Sequence, residues 1–354
     1  MRTRFRLVWL VPLAALLFFV GLIVFSLWYQ YRPHPTTPDS APRSILASST
    51  SLRLVSRLEI CADGIADNPM LAIDHQVIYM HSDGTPMGPY IRLHNVFDTA
   101  PVWQSHGTRY PYSMAVLGDN LILSSSLDVW AYGLDSGELR WRSEVLPGHA
   151  RNVISLDPAL GLTIHYTEDT PPQMRAVMLQ IEPQTGSLLE KLVYPIPAYA
   201  LMAPYTNEGV LWVSGEDMWL SPTPTDPPVW RVQTGGQIAG WPIQSSDLFL
   251  VSSGLFPKIL AIDSATGNVI WQDEREFAST LAMFHGLAYA ITKDAALVAL
   301  EPDTGHQAGS IEFSPQATEA STRSHVYAVV ASSDILAAYF GDSCELFVFE
   351  LPAA

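Results

Sequence analysis

The pattern of apolar and polar positions divides the chain in two. From Leu7 to Tyr29, 23 consecutive residues (LVWLVPLAALLFFVGLIVFSLWY) carry no charge. From about Leu52 onward the apolar runs are short, as in Leu121-Ile122-Leu123, Leu248-Phe249-Leu250-Val251 and Tyr327-Ala328-Val329-Val330, and Gly, Asp, Ser and Pro cut between them. No convincing long helical period occurs in that part, so it reads as an all-β body of short strands.

A helix over residues 7–29 would span about 30 Å of hydrocarbon. Pro12 falls in its first turns, where a missing amide costs least. Trp9 at one end, and Trp28, Tyr29 and Tyr31 at the other, suit the interfacial belts. Arg2, Arg4 and Arg6 predict a cytoplasmic stub (1–6), a transmembrane signal anchor (7–29) and an extracytoplasmic body, periplasmic or at the cell surface. The competing reading is a cleaved signal peptide, whose apolar core is about 7–15 residues and ends at a small-x-small site. Here the run is longer and bulky residues (SLWYQYRPHP) follow it. Residues 30–51, with Pro33, Pro35, Pro38 and Pro42 among Ser and Thr, predict an extended spacer. The body is then 52–354.

Within the body the strands recur in a larger unit. Residues 259–272 (ILAIDSATGNVIWQ), 129–142 (VWAYGLDSGELRWR), 297–313 (LVALEPDTGHQAGSIEF) and 177–191 (VMLQIEPQTGSLLEK) share one plan: strand, acid, turn ending in Gly, strand. Asp135 and Asp263 are expected to accept backbone hydrogen bonds at the turn. Gly137, Gly186, Gly267 and Gly305 are expected to take the left-handed conformation that closes a short hairpin loop. Trp141 and Trp271 follow their glycines by four residues and supply an apolar face on the next strand. Weaker copies at 90–104 and 217–231 keep Trp103 and Trp230 but have no glycine at the turn. Corresponding positions are Trp103, Trp141, Glu190, Trp230, Trp271 and Gly309, spaced by 38, 49, 40, 41 and 38 residues. The long spacing is most simply an inserted loop around Thr167–Pro172.

A further strand pair precedes each hairpin, giving four strands in about 40 residues, the size of one β-propeller blade. Six units run from Pro69 to Phe313, and residues 324–351 supply three strands of a seventh. The N-terminal stretch 52–60 (LRLVSRLEI) is expected to complete that blade and close the ring, removing the open edge. The count is seven blades, or eight if one is merged into the long third unit. In such a blade the end of strand four lies beside the start of strand three. Cys61 and Cys344, the only cysteines, would then meet and form a disulfide in an oxidising compartment; two buried free thiols are the alternative.

The strand–Asp–x–x–Thr–Gly–x–x–x–Trp pattern resembles the pyrroloquinoline-quinone-type β-propeller repeat, closely at 259–271 and partially at DSGELRW, EPQTGSLL and EPDTG. The family holds quinone dehydrogenases and non-enzymatic envelope scaffolds, and the motif reports blade architecture rather than quinone binding. The recurrence of Trp103, Trp141, Trp230 and Trp271 at the blade period makes packing between blades a better account of them than carbohydrate stacking. The dehydrogenases are longer and carry an adjacent cysteine pair by the quinone. Here the two cysteines are 283 positions apart.

Composition narrows the function further. The net charge of −16 divides into +4 over residues 1–32 and −20 over the rest, which argues against a nucleic-acid partner. No His-x-x-x-His, Cys-x-x-Cys, Gly-x-Ser-x-Gly or phosphate-loop motif occurs, so no catalytic, metal or cofactor residue is assigned. The ten histidines are expected at the surface, with His75 and His81 flanking one strand. Gly235-Gly236 reads as a connection between blades, and Trp212 and Trp219 fall outside the repeat as candidates for an exposed pair. The reading is a membrane-anchored scaffold that binds a protein partner in the cell envelope. The alternatives are a sensor for a sugar or peptide, and a quinone-dependent oxidoreductase.

Overall fold

The computed structural model describes residues 43–60, 70–81, 90–106, 111, 113–125, 127–146, 152–157, 161–170, 173–195, 201–206, 209–253, 258–314, 327–341 and 343–352. Every regular element among them is a strand. Among the described residues no helix is long and apolar enough to cross a membrane. The segments expected as stub and anchor, and Cys61, lie outside the described residues.

Two strands precede the first whole sheet: β1 (Ile45–Ser48) and β2 (Arg53–Glu59). Six four-stranded blades follow in chain order. Blade 1 is β3 (Met70–Ile73), β4 (Gln76–His81), β5 (Tyr90–Asn95) and β6 (Trp103–His106). Blade 2 is β7 (Ser113–Leu117), β8 (Asn120–Ser124), β9 (Val129–Gly133) and β10 (Leu139–Ser143). Blade 3 is β11 (Asn152–Asp157), β12 (Gly161–Thr170), β13 (Gln173–Ile181) and β14 (Leu188–Pro195). Blade 4 is β15 (Leu201–Thr206), β16 (Gly209–Ser214), β17 (Asp217–Ser221) and β18 (Trp230–Gln233). Blade 5 is β19 (Ile238–Ser245), β20 (Leu248–Ser253), β21 (Lys258–Asp263) and β22 (Val269–Asp273). Blade 6 is β23 (Ala282–Phe284), β24 (Leu287–Ile291), β25 (Ala296–Leu300) and β26 (Gln307–Phe313). The seventh sheet is β27 (Tyr327–Ala331), β28 (Leu336–Phe340) and β29 (Glu345–Glu350), with β2 paired antiparallel on β29 as its fourth strand.

The middle strands explain why the apolar runs are unbroken. Strands β8, β9 and β28 are buried at every position, because each lies between two neighbouring blades. The outer strand β10 is mostly exposed, with only Trp141 buried. The core is correspondingly seven separate clusters, each formed where two blades face one another. One cluster joins Ala337, Tyr339 and Val348 of blade 7 to Met70, Val77 and Tyr79 of blade 1.

Three features differ from the reading of the sequence. The long third unit holds no inserted loop at Thr167–Thr170. Those residues extend β12 to ten residues and pair with a nine-residue β13, and there is no eighth blade among the described residues. Within the stretch assigned to the spacer, Ile45–Ser48 forms β1, which pairs antiparallel with β26 as a fifth strand of blade 6. Such edge pairing uses backbone groups and so leaves little trace in side-chain pattern.

Blades are keyed together by one repeated contact. Trp103, Trp141, Trp230 and Trp271 each stand at the same register of strand four, opposite Leu93, Ala131, Leu220 and Ala261. Each indole lies on the hairpin glycine of a neighbouring blade. A Cβ placed at Gly137, Gly186, Gly267 or Gly305 would stand 2.4, 2.4, 2.7 or 2.6 Å from the ring of Trp103, Trp141, Trp230 or Trp271, respectively. Each indole N–H donates to the carbonyl three residues before that glycine: Leu134, Pro183, Ser264 and Pro302, at 2.6–2.9 Å. All four glycines have φ between 68° and 73°, a region that costs a residue with a Cβ about 1 kcal/mol or more. By urea unfolding, Trp230→Ala is expected to cost about 3–5 kcal/mol. Gly267→Ala is expected to be less damaging in the Trp230→Ala background than alone; equal penalties would mean that the close approach does not limit the site.

The end of β2 bears on the cysteines. The Ile60 amide donates to the Cys344 carbonyl at 2.7 Å, and Cys344 is disulfide-bonded. Peptide mapping of the unreduced protein is expected to yield a Cys61–Cys344 cross-linked fragment that disappears on reduction. A fragment joining two chains through either cysteine would contradict it.

Candidate functional site

Four of the repeat hairpins share their internal wiring. The glycine amide donates to the carbonyl four residues back, at Gly133, Glu182, Asp263 and Glu301, over 2.8–2.9 Å. The hydroxyl preceding each glycine (Ser136, Thr185, Thr266 and Thr304) accepts the amide two residues on, at 3.1–3.4 Å. Asp263 accepts both the Thr266 amide and its hydroxyl, at 2.7 and 2.6 Å. These bonds hold its carboxyl below the usual aspartate range. Asp135 sits differently. It is exposed in the middle of its turn, and the position matching Asp263 is Gly133. The shared acid–Gly spelling hid a two-residue offset.

The irregular tryptophans are core residues. Trp212 and Trp219 are cross-strand partners and buried, with stacked rings 6.0 Å apart. They pack with Ala176 and Met178 between blades 3 and 4. That junction has exposed Glu190 in place of the keyed tryptophan, and proline turns instead of a hairpin glycine. At the corresponding place in blade 6, Gly309 makes room for Ser49 and Thr50, the link between β1 and β2. Gly235-Gly236 joins blades 4 and 5, with Gly235 at φ 76°.

The histidines divide. His75 is partly exposed, 3.3 Å from Glu350 and 3.9 Å from Asp334, against Phe97. His94 and His165 are buried, contrary to a surface location. His165 shares a 2.9 Å hydrogen bond with Thr163. Burial, with the Arg92 charge adding to it, pushes His94 below the ordinary imidazole range. Unfolding therefore takes up a proton below pH 6.5, so stability is expected to fall as pH drops from about 6.5 through the native value. The slope of urea-unfolding free energy against pH is expected to be shallower in His94→Gln; an unchanged slope would remove His94 as its source.

A buried charge cluster, not legible in the sequence, holds the start of the described chain. Glu345 is 4% exposed and receives the Arg57 guanidinium and the Arg43 amide. The Arg43 side chain is itself 2% exposed, lies over Phe340 at 4.7 Å and donates to the Ser314 carbonyl at 2.9 Å. Arg57 is itself 41% exposed, so Glu345 is the buried member of that ion pair, and losing Arg57 would strand its carboxylate. Beside it is a cavity of about 920 Å³ lined by Arg43, Arg275, Lys293, Glu276, Glu312 and Tyr327 among others. Asp273 pairs with Arg275, and Glu276 with Lys293 at 2.8 Å. Tyr166, pushed up to about 12 by burial and then by Glu168, lies in blade 3. Among the described residues no group of three His, Cys, Asp or Glu side chains is placed to hold a metal ion.

The two ends of the propeller differ in chemistry. The turns between strands one and two, and between three and four, share one end. Exposed Asp98, Asp135, Glu138, Asp226, Asp303 and Asp334 lie there. The described residues of these turns include no Lys or Arg. Arg140 and Arg53 begin the adjoining strands and are paired with Asp119 and Glu350. The other end holds Arg43, the cavity, and the pairs Arg142–Asp128 and Lys258–Glu274. Exposed large apolar residues also concentrate toward the turn end: Phe97, Val102, Leu139, Leu189, Val229 and Ile270 are each 50–59% exposed.

Residues 204–348 match a family model described as outer membrane protein assembly factor BamB. A crystal structure of BamB from Moraxella catarrhalis superposes with a TM-score of 0.51 at 14% identity, over 84% of this chain and 99% of that one. No curated protein matches the chain significantly. The described residues form a seven-bladed propeller, and its repeats match the pyrroloquinoline-quinone-type family model over residues 204–348.

Proposed function

We propose that this protein is a membrane-anchored scaffold of the cell envelope, a non-catalytic propeller that binds a protein partner on the extracytoplasmic side. The observation that carries the reading is the match of residues 204–348 to an assembly-factor model, together with the same sheet architecture over most of the chain. The anchor rests on the uncharged run 7–29 and the arginines before it. Closure of the ring by β2 is supported by its pairing on β29 and by the core shared between blades 7 and 1. A closed ring leaves no sheet edge open between first and last blades and gives a rigid body for display.

The full-length chain is expected to stay with carbonate-washed membranes, and a chain beginning at residue 43 to be released. Protease added to inverted vesicles is expected to leave the body intact. Release of the full chain, or digestion of the body from the cytoplasmic side, would overturn the topology. Cross-linking in intact cells is expected to give a reproducible adduct with one protein, and its absence would count against a scaffold.

A further inference from the structure

We infer that the turn end is the docking face, and that its partner is a cationic amphipathic segment of a protein, rich in Lys or Arg and in large apolar residues. This rests on the scaffold reading and adds to it the face and the chemistry of the partner.

The apolar half of the argument is positional. Single exposed apolar residues are ordinary on any protein. Here they recur at one structural place, the first residues of strand four or the turn before them. Leu139 and Ile270 stand two and one residues before Trp141 and Trp271, and Val102 and Val229 directly precede Trp103 and Trp230. Five successive blades thus carry an apolar residue at the rim of the same end, with Leu189 in blade 3. Packing does not account for those of blades 1, 2, 4 and 5, because the tryptophan beside each already meets the hairpin glycine of the next blade; Leu189 stands beside exposed Glu190 instead. Apolar residues gathered at one end and edged by polar ones mark an interaction surface.

Charge selects the occupant. Among the described residues, the acids of these turns face no Lys or Arg apart from Asp119 with Arg140 and Glu350 with Arg53. The opposite end carries bases as well as acids: Asp128 is matched by Arg142, Glu274 by Lys258 and Glu276 by Lys293, while Glu216 and Asp294 make no ion pair among the described residues. Unmatched acids around an apolar rim repel anionic surfaces and speed the approach of a basic one. The opposite end is also where Arg43 begins the described chain, beside the cavity. The turn end is therefore the end away from Arg43.

Two measurements test this. The full-length protein in zwitterionic nanodiscs, with empty nanodiscs as the blank, is titrated with a labelled 18-residue Lys/Leu amphipathic peptide and with its Glu/Leu counterpart. Saturable binding of the Lys/Leu peptide alone is expected. It should weaken at least tenfold in Leu139→Ser/Ile270→Ser and in Asp135→Asn/Asp226→Asn, and stay within twofold in Glu216→Gln at the opposite end. Thermal melts confirm that each variant is folded. Equal binding of both peptides, no binding, or an equal loss in Glu216→Gln would overturn the inference. In intact cells, photo-cross-linking residues at Leu139 and Ile270 are expected to capture a protein, and those at Glu216 and Glu144 not. Adducts from the opposite end, alone or equally, would overturn this face and leave the scaffold standing. Adducts from neither end would overturn both.

Discussion

The structure depends on a single contact made four times: an indole laid on a glycine of the neighbouring blade. A buried tryptophan removes on the order of 200 Å² from water, worth about 5 kcal/mol at 25 cal/mol per Å². One net hydrogen bond adds about 1 kcal/mol. The apolar contact therefore supplies most of the energy, and the indole N–H supplies direction by reaching the carbonyl of Leu134, Pro183, Ser264 or Pro302. The glycine is needed for two reasons at once. Its φ near +70° closes the hairpin, and its missing Cβ admits the ring at a distance no side chain would allow. Turn geometry and blade packing are thus one constraint, which is why the hairpin and the tryptophan recur together.

The same constraint explains what was legible in the sequence. Gly137, Gly186, Gly267 and Gly305 stand out because the role admits no other residue, and the tryptophans because nothing smaller spans the gap. The junction between blades 3 and 4 was not legible. With Glu190 and proline turns in place of the pair, it is filled by Trp212 and Trp219, and no periodicity distinguishes them from surface residues. Strand β1 was hidden for another reason. Its four residues pair through backbone groups and expose Leu46, so their composition reads as spacer. The buried Arg43, 302 positions from Glu345, left no local signal at all.

Those hidden features gather where the repeat fails. Blade 7 has no hairpin between its third and fourth strands, because β2 comes from the other end of the sequence. No glycine turn exists there for a blade 6 tryptophan to meet, and Gly309 is found instead. The lost key is replaced by several unlike contacts: β1 on β26, Ser49 and Thr50 against Gly309, Arg43 and Arg57 on Glu345, and the Ile60–Cys344 backbone bond. A buried carboxylate such as Glu345 is a poor source of net stability, but leaving it without Arg57 and the Arg43 amide is a strong penalty for mispairing. At a junction made by distant parts of the chain, where a four-residue strand is prone to slip, that property fixes register.

A propeller built this way has two ends with different freedoms. On the turn end, the glycine, the Ser or Thr hydroxyl and the indole already satisfy the hairpin, so the middle turn residues and the first residue of strand four are released from folding demands. Asp135, Ala265 and Asp303 occupy one such position, and Val269 and Leu139 another. Residues there can diverge without loss of the blade, which suits them to recognition. The opposite end is less free. It carries the crossovers between blades, the buried Glu345 and the start of the described chain, and it holds bases paired with acids, as in Arg142–Asp128, Lys258–Glu274 and Lys293–Glu276. Unmatched acids and exposed apolar residues therefore accumulate at the positions those keyed turns leave free, and the turn end, although it carries the contacts that hold the blades together, has chemistry left over for a partner.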